Sequence, residues 1–194
     1  LGAQAAQKGM SSLETMLMMG LNFAGGSEFA TVGAWTSPIP VLLIWTLTLM
    51  INSRHILMGA AFAPYLRDLP LRQLLPTLFV MIDETWAMGM AEIKKREQLG
   101  LPAFNLPYYW GVAVVLYVIW LLCGLVGSQF GYLLGNDIEK FGFGMAFPAV
   151  FLVLVRGMWR GMKAARPWVV SLVVAALVYL MLPNGGWYVL VGTL

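Results

Sequence analysis

YYWGVAVVLYVIWLLCGLVGSQF, residues 108–130, is the stretch that decides the architecture. It carries no charged side chain, and the uncharged run around it extends over residues 98–136. A helix crosses the hydrocarbon layer with about 20 apolar residues. A membrane β-strand is shorter and alternates apolar with polar residues, whereas this run is apolar on every side. A second uncharged run covers residues 167–194. The rest of the chain agrees: 60% of its 194 residues are hydrophobic and 11% are charged, and mean hydropathy is +0.77. A soluble domain has roughly 25% charged residues. The chain therefore reads as an all-α, polytopic helical membrane protein forming a single integral membrane domain over 1–194.

Further segments are expected at 12–35, 39–63, 73–91, 142–158 and 168–183, with a last one opening at Trp187. That makes about seven, the first truncated, because the uncharged opening Leu1 to Ala6 looks like the tail of something longer. Ser11-Ser12-Leu13-Glu14 has the pattern of a helix N-cap and acidic first turn. Pro38 and Pro40 mark the entry of the second segment and Pro64 its exit. The third is read as spanning, with a re-entrant course as the alternative. The basic clusters Lys94, Lys95, Arg96 and Arg156, Arg160, Lys163, Arg166 then share one side, which the positive-inside rule makes cytoplasmic. Arg67 and Arg72 fall on the other side, against the rule. The loop with Asp137, Glu139 and Lys140 suits that outer side. Trp35, Trp110, Trp159, Trp168 and Trp187 fall near segment ends, as an interfacial belt does. Gly127, Gly131 and Gly135, and again Gly157 and Gly161, repeat at the spacing that lets helices approach closely. The lone Cys123 is expected to be a small buried hydrophobe. A weak internal repeat pairs Leu1-Gly2-Ala3-Gln4 with Val126-Gly127-Ser128-Gln129, and Leu13-Glu14 with Ile138-Glu139.

Five ionisable residues interrupt apolar segments: Glu28, Arg54, His55, Asp83 and Glu84. Each charge at the bilayer centre costs roughly 3 kcal/mol, so such residues face one another, water or a cargo. Gly25-Gly26-Ser27 precedes Glu28. Two adjacent glycines there predict a broken helix whose freed N–H groups suit an anion; close packing, with Ser27 bonded to its own helix, is the simpler reading. Asn52-Ser53-Arg54-His55 offers a guanidinium for bidentate carboxylate binding, or one that snorkels or pairs with Asp83 or Glu84. His55 beside an Arg and across from acids is a candidate proton relay. Asp83 and Glu84 point about 100° apart on a helix. One can balance Arg54 while the other meets an ammonium or a proton. Gly25, Gly26, Ser27, Glu28, Asn52, Arg54, Asp83 and Glu84 are thus candidate substrate-binding residues, and Glu28, His55, Asp83 and Glu84 candidate proton handlers. Together they suit a zwitterion such as a small amino acid.

FAGGSEF (23–29), NSRHILMG (52–59) and IDETWA (82–87) resemble, in order and spacing, the signature regions of the AzlC-type branched-chain amino acid permeases; GFGMAFPAV (142–150) is similar to a later one. The resemblance covers nearly the whole chain. It implies the large subunit of an exporter of leucine, isoleucine and valine, and in some members methionine. It also implies an AzlD-type small subunit as partner, the inner membrane of a prokaryote as location, and a further apolar segment ahead of Leu1. Glu28 departs from the family, where Gln is common. Gly26 stands where Ala or Gly occurs, and Asn52 where some members have Asp.

These readings make the chain a proton-coupled secondary transporter, not an enzyme. No metal or cofactor is expected: one histidine and one cysteine build no metal site, and no nucleotide-binding motif is present. The net charge of +3 reports membrane orientation, not nucleic acid. The alternatives are a non-transporting scaffold or assembly subunit, and a channel for another small polar solute.

Overall fold

The computed structural model describes residues 1–134, 145, 152 and 161–181. All regular structure among them is helical. After the short α1 (Gly2–Gln7) comes α2 (Ser12–Asn22). Its start is fixed by a capping box: the Ser11 hydroxyl accepts from the Glu14 N–H at 3.2 Å and the Glu14 carboxylate accepts from the Ser11 N–H at 2.7 Å. α2 stops at Phe23, which adopts the left-handed region at φ 45°. α3 (Gly25–Ala34) begins two residues later. The helix is thus broken at 23–24, and Gly25-Gly26-Ser27 forms the first turn of α3, where an unwound turn was expected. The reason is local: Ser27 and Glu28 both turn back onto the Ala24 backbone and start the helix there.

α4 (Val41–Asn52) and α5 (Arg54–Leu66) are separated only by Ser53. Together they are long and apolar enough to cross a membrane. Pro64 lies inside α5, where an exit was expected; so near the helix end its missing N–H perturbs only the last turn. The expected single segment 73–91 is two helices, α6 (Leu71–Phe79) and α7 (Asp83–Gln98). Thr85 stabilises the break: its hydroxyl accepts from the Ile82 N–H at 2.8 Å and sits 3.1 Å from the Val80 carbonyl oxygen. Asp83 and Glu84 occupy the first turn of α7 and Lys95 and Arg96 its last, each where the helix dipole favours its charge. Lys94, Lys95 and Arg96 are therefore helical, not loop residues.

α8 (Leu106–Leu134) is the second stretch that meets the length and apolarity of a span. α9 (Met162–Met181) starts earlier than expected, so Lys163 and Arg166 are helical. Gly161 precedes α9 at φ +98°, with nothing among the described residues within 4 Å of a Cβ. The rest of segment 142–158, the segment from Trp187, the loop with Asp137, Glu139 and Lys140, and Gly135, Arg156, Gly157, Trp159 and Arg160 lie outside the described residues.

α8 is the scaffold against which α1 and α2 pack. Gly127 and Gly131 let α1 approach: a Cβ on Gly127 would lie 3.4 Å from the Ala3 nitrogen, and one on Gly131 2.7 Å from the Ala6 Cβ; Gly124 makes room for Met19 of α2, whose sulfur would clash with a Cβ there. The first pair of similar stretches, at 1–4 and 126–129, thus meets face to face; the second includes 138–139, outside the described residues. Cys123 is exposed, contrary to expectation, because the glycine face of α8 takes the helix contact. The main core joins the breaks: Phe23 from 23–24 and Val80 and Met81 from 80–82 pack with Met58, Phe62, Leu66, Ile93, Tyr109 and Ala113.

Candidate functional site

Polar side chains are concentrated where helices end. Asn22, the last residue of α2, donates through Nδ2 to Ser27 Oγ at 2.8 Å and accepts at Oδ1 from Asn52 Nδ2 at 2.9 Å. Ser27 donates its proton to the Ala24 carbonyl oxygen at 2.9 Å. This chain ties the α2/α3 break to the α4/α5 junction. Two residues on, Arg54 opens α5 and its guanidinium Nη1 pairs with Asp83 Oδ2 at the start of α7. Arg54 Nη2 is 3.9 Å from where a Cβ on Gly26 would lie. The first turn of α3, the α4/α5 junction and the first turn of α7 therefore meet at Arg54.

The first bond inside α3 runs from the Glu28 N–H to the Ala24 carbonyl oxygen at 3.1 Å. The N–H groups of Gly25, Gly26 and Ser27 consequently have no carbonyl partner within the helix. These free N–H groups and the guanidinium beside Gly26 both favour negative charge at this turn.

Glu28 stands apart from the guanidinium. It is fully buried. One carboxylate oxygen accepts from the Ala24 N–H at 2.9 Å and the other from the Trp120 indole N–H at 3.1 Å. Gly25 faces the same ring, a Cβ there falling 3.3 Å from Trp120 Cη2. The first turn of α3 thus has two faces, one toward α8 with Glu28 and one toward Arg54. His55 turns back across the α4/α5 junction, its Nδ1 lying 3.0 Å from the carbonyl oxygen of Asn52, the last residue of α4. That oxygen only accepts, so Nδ1 carries a proton. Glu84 is exposed and is in neither of the ion pairs among the described residues. The neighbouring acids are therefore separated, with Asp83 committed to Arg54.

Sequence reasoning missed four residues here: Asn22, Tyr109, Tyr117 and Trp120. Tyr117 donates to the Gly20 carbonyl oxygen at 2.8 Å, just before the α2/α3 break, and Tyr109 to that of Thr77 at 3.2 Å, just before the α6/α7 break. With Trp120 they lie on one side of α8, since residues 8 and 11 positions apart are turned by only about 80° and about 20° from one another on a helix. α8 thus hydrogen-bonds both broken segments. The available signals were an Asn one residue before FAGGSEF, and aromatic rings with polar tips deep in an apolar run.

A family model described as AzlC protein matches residues 1–134. A Haemophilus influenzae protein described as an uncharacterized membrane protein is 28% identical over 187 residues, covering 96% of this chain and 72% of that protein. No solved structure matches the chain.

Proposed function

The chain belongs to the AzlC protein family, and from that premise we propose that it is a proton-coupled secondary transporter exporting branched-chain or similar apolar amino acids. The proposal includes a multi-pass course of about seven segments, the inner membrane of a prokaryote, and an AzlD-type small subunit as partner. The observation that carries the site is the convergence at Arg54. The first three N–H groups of α3 have no carbonyl partner within the helix, the guanidinium lies beside Gly26 in that turn, and a substrate carboxylate is a group that suits both. Asp83 holds Arg54 in place until the substrate competes for it. Glu28, behind the same turn, is the proposed proton carrier, because it reaches the first turn of α3 without contacting the carboxylate locus.

Efflux tests the proposal. Vesicles loaded with leucine, isoleucine, valine or methionine, with the small subunit present, are expected to lose substrate faster than vesicles without the protein, and a proton gradient is expected to change the rate. Equal efflux with and without the protein refutes it.

A further inference from the structure

The chain of amides at the helix breaks has a fixed direction. Ser27 has one hydroxyl proton, and it goes to the Ala24 carbonyl oxygen. Toward Asn22 the hydroxyl must therefore accept, so Asn22 presents its NH2 to Ser27 and its oxygen to Asn52. Asn52 in turn presents its NH2 to Asn22. Its own Oδ1 is forced to point away from the chain, and this buried atom has no hydrogen-bond partner among the described residues. Two residues further, Arg54 Nε is a buried donor in the same condition. An unsatisfied acceptor and an unsatisfied donor thus belong to residues two apart at the α4/α5 junction, where a buried orphan is otherwise costly.

Of the acids nearby, two are already engaged and the third is at the surface. Asp83 accepts from Arg54. Glu28 accepts from Ala24 and Trp120, on the far face of α3. Glu84 is exposed.

We propose that Asn52 Oδ1 is the group that reads the ammonium of an α-amino acid, while Arg54 Nε–H adds to the carboxylate contacts made by the first turn of α3. The inference rests on the transporter reading and deepens it, because it assigns the ammonium to a neutral amide and not to an acid. A zwitterion adds no net charge to the site, and a neutral acceptor leaves the net charge of Arg54 and Asp83 at zero while the substrate competes for the guanidinium. The occupant must carry a donor beside its carboxylate: an ammonium donates with a full charge, the hydroxyl of a 2-hydroxy acid donates as a neutral group, and a 2-oxo acid of the same shape has no donor there. The atoms are closed over in this structure, so binding requires the junction at Ser53 to open.

The test compares binding of leucine and of 2-oxo-4-methylpentanoate, which has no donor at the same carbon, to the purified protein in lipid nanodiscs. The wild-type protein is expected to favour leucine by about 10- to 100-fold, the value of a hydrogen bond to a charged group. Asn52→Leu is expected to bind both ligands with similar affinity. Asn52→Asp keeps an acceptor and is expected to keep or widen the preference. Asn22→Ala breaks the amide chain but leaves Asn52 Oδ1 in place, so it is expected to weaken both ligands together. If Asn52→Leu retains the wild-type preference, the inference fails. Should that variant not fold, a preference lost in Asn52→Asp overturns it equally. Wild-type protein that binds neither ligand, under conditions where the small subunit is present, refutes the transporter reading instead.

Discussion

Exchanging Glu28 for Gln changes its size hardly at all, yet the structure gives the change a defined cost. The Glu28 carboxylate accepts two N–H donors, from Ala24 at 2.9 Å and from the Trp120 indole at 3.1 Å, and it is fully buried. Gln has one oxygen and one NH2. Its oxygen can serve one of those donors, and its NH2 then faces the other, leaving a buried donor unpaired. The expected loss in Glu28→Gln is about 1–3 kcal/mol. Trp120→Phe removes the indole N–H. In that background Gln can turn its oxygen to the Ala24 N–H and its NH2 meets no opposing donor. The same Glu28→Gln change is then expected to cost about 1 kcal/mol less, and this difference is the coupling between the two side chains. Reversible unfolding of the four proteins in mixed micelles measures it. Additivity within about 0.5 kcal/mol means that Glu28 and Trp120 do not share a bond, and refutes the reasoning. The cycle also bears on transport, since a flattened proton dependence in Glu28→Gln points to coupling only once the loss of stability has been separated from it.

Other outcomes follow from the same geometry. Arg54→Ala is expected to abolish leucine efflux while the protein still purifies as a folded species, and exchanging the partners, Arg54→Asp with Asp83→Arg, is expected to restore folding stability but not transport; normal efflux from Arg54→Ala makes Arg54 purely structural. Gly131→Ala is expected to cost about 1–3 kcal/mol, because the new methyl would meet Ala6 Cβ at 2.7 Å and the Ala3 carbonyl oxygen at 2.8 Å. Gly111→Ala on the same helix, with nothing within 4 Å, is expected to be neutral or to stabilise by up to about 1 kcal/mol, and unfolding of the two variants side by side checks both. Tyr117→Phe is expected to speed amide hydrogen exchange near residues 20–25 and Tyr109→Phe near 77–82, each leaving the other break unchanged; uniform acceleration in either variant contradicts separate ties to α8.

The polar residues of the site were legible because they stand out against an apolar background. Glu28, Asn52, Arg54, Asp83 and Glu84 are expensive in a span, so composition alone marks them. Their grouping was not legible. Nothing in the spacing of Glu28 and Arg54 says that they face opposite sides of one helical turn. That division follows from Gly25 meeting Trp120 while Gly26 meets Arg54. Asn22 is one residue outside FAGGSEF, and a single amide in an apolar run carries little signal until its partners are known. The helix breaks were legible only in part. The paired glycines pointed to 25–26, but side-chain bonds from Ser27 and Glu28 to Ala24 moved the break upstream. The division of 73–91 depends on the Thr85 hydroxyl bonding the backbone at 80–82.

Taken alone, the sequence determined the solvent of this protein and the class of its fold. Long uncharged runs such as 98–136 leave a chain no means of hydrogen-bonding its backbone in lipid except as helices, whatever the tertiary arrangement. It also determined which residues are too costly to be there without a partner. Which partner each one has was decided only by the tertiary structure. Hydrogen bonds such as Asn22–Asn52 and Glu28–Trp120, and the ion pair Arg54–Asp83, join residues far apart in the chain, and they depend on distances of a few ångströms set by how α2, α3, α4, α5, α7 and α8 pack.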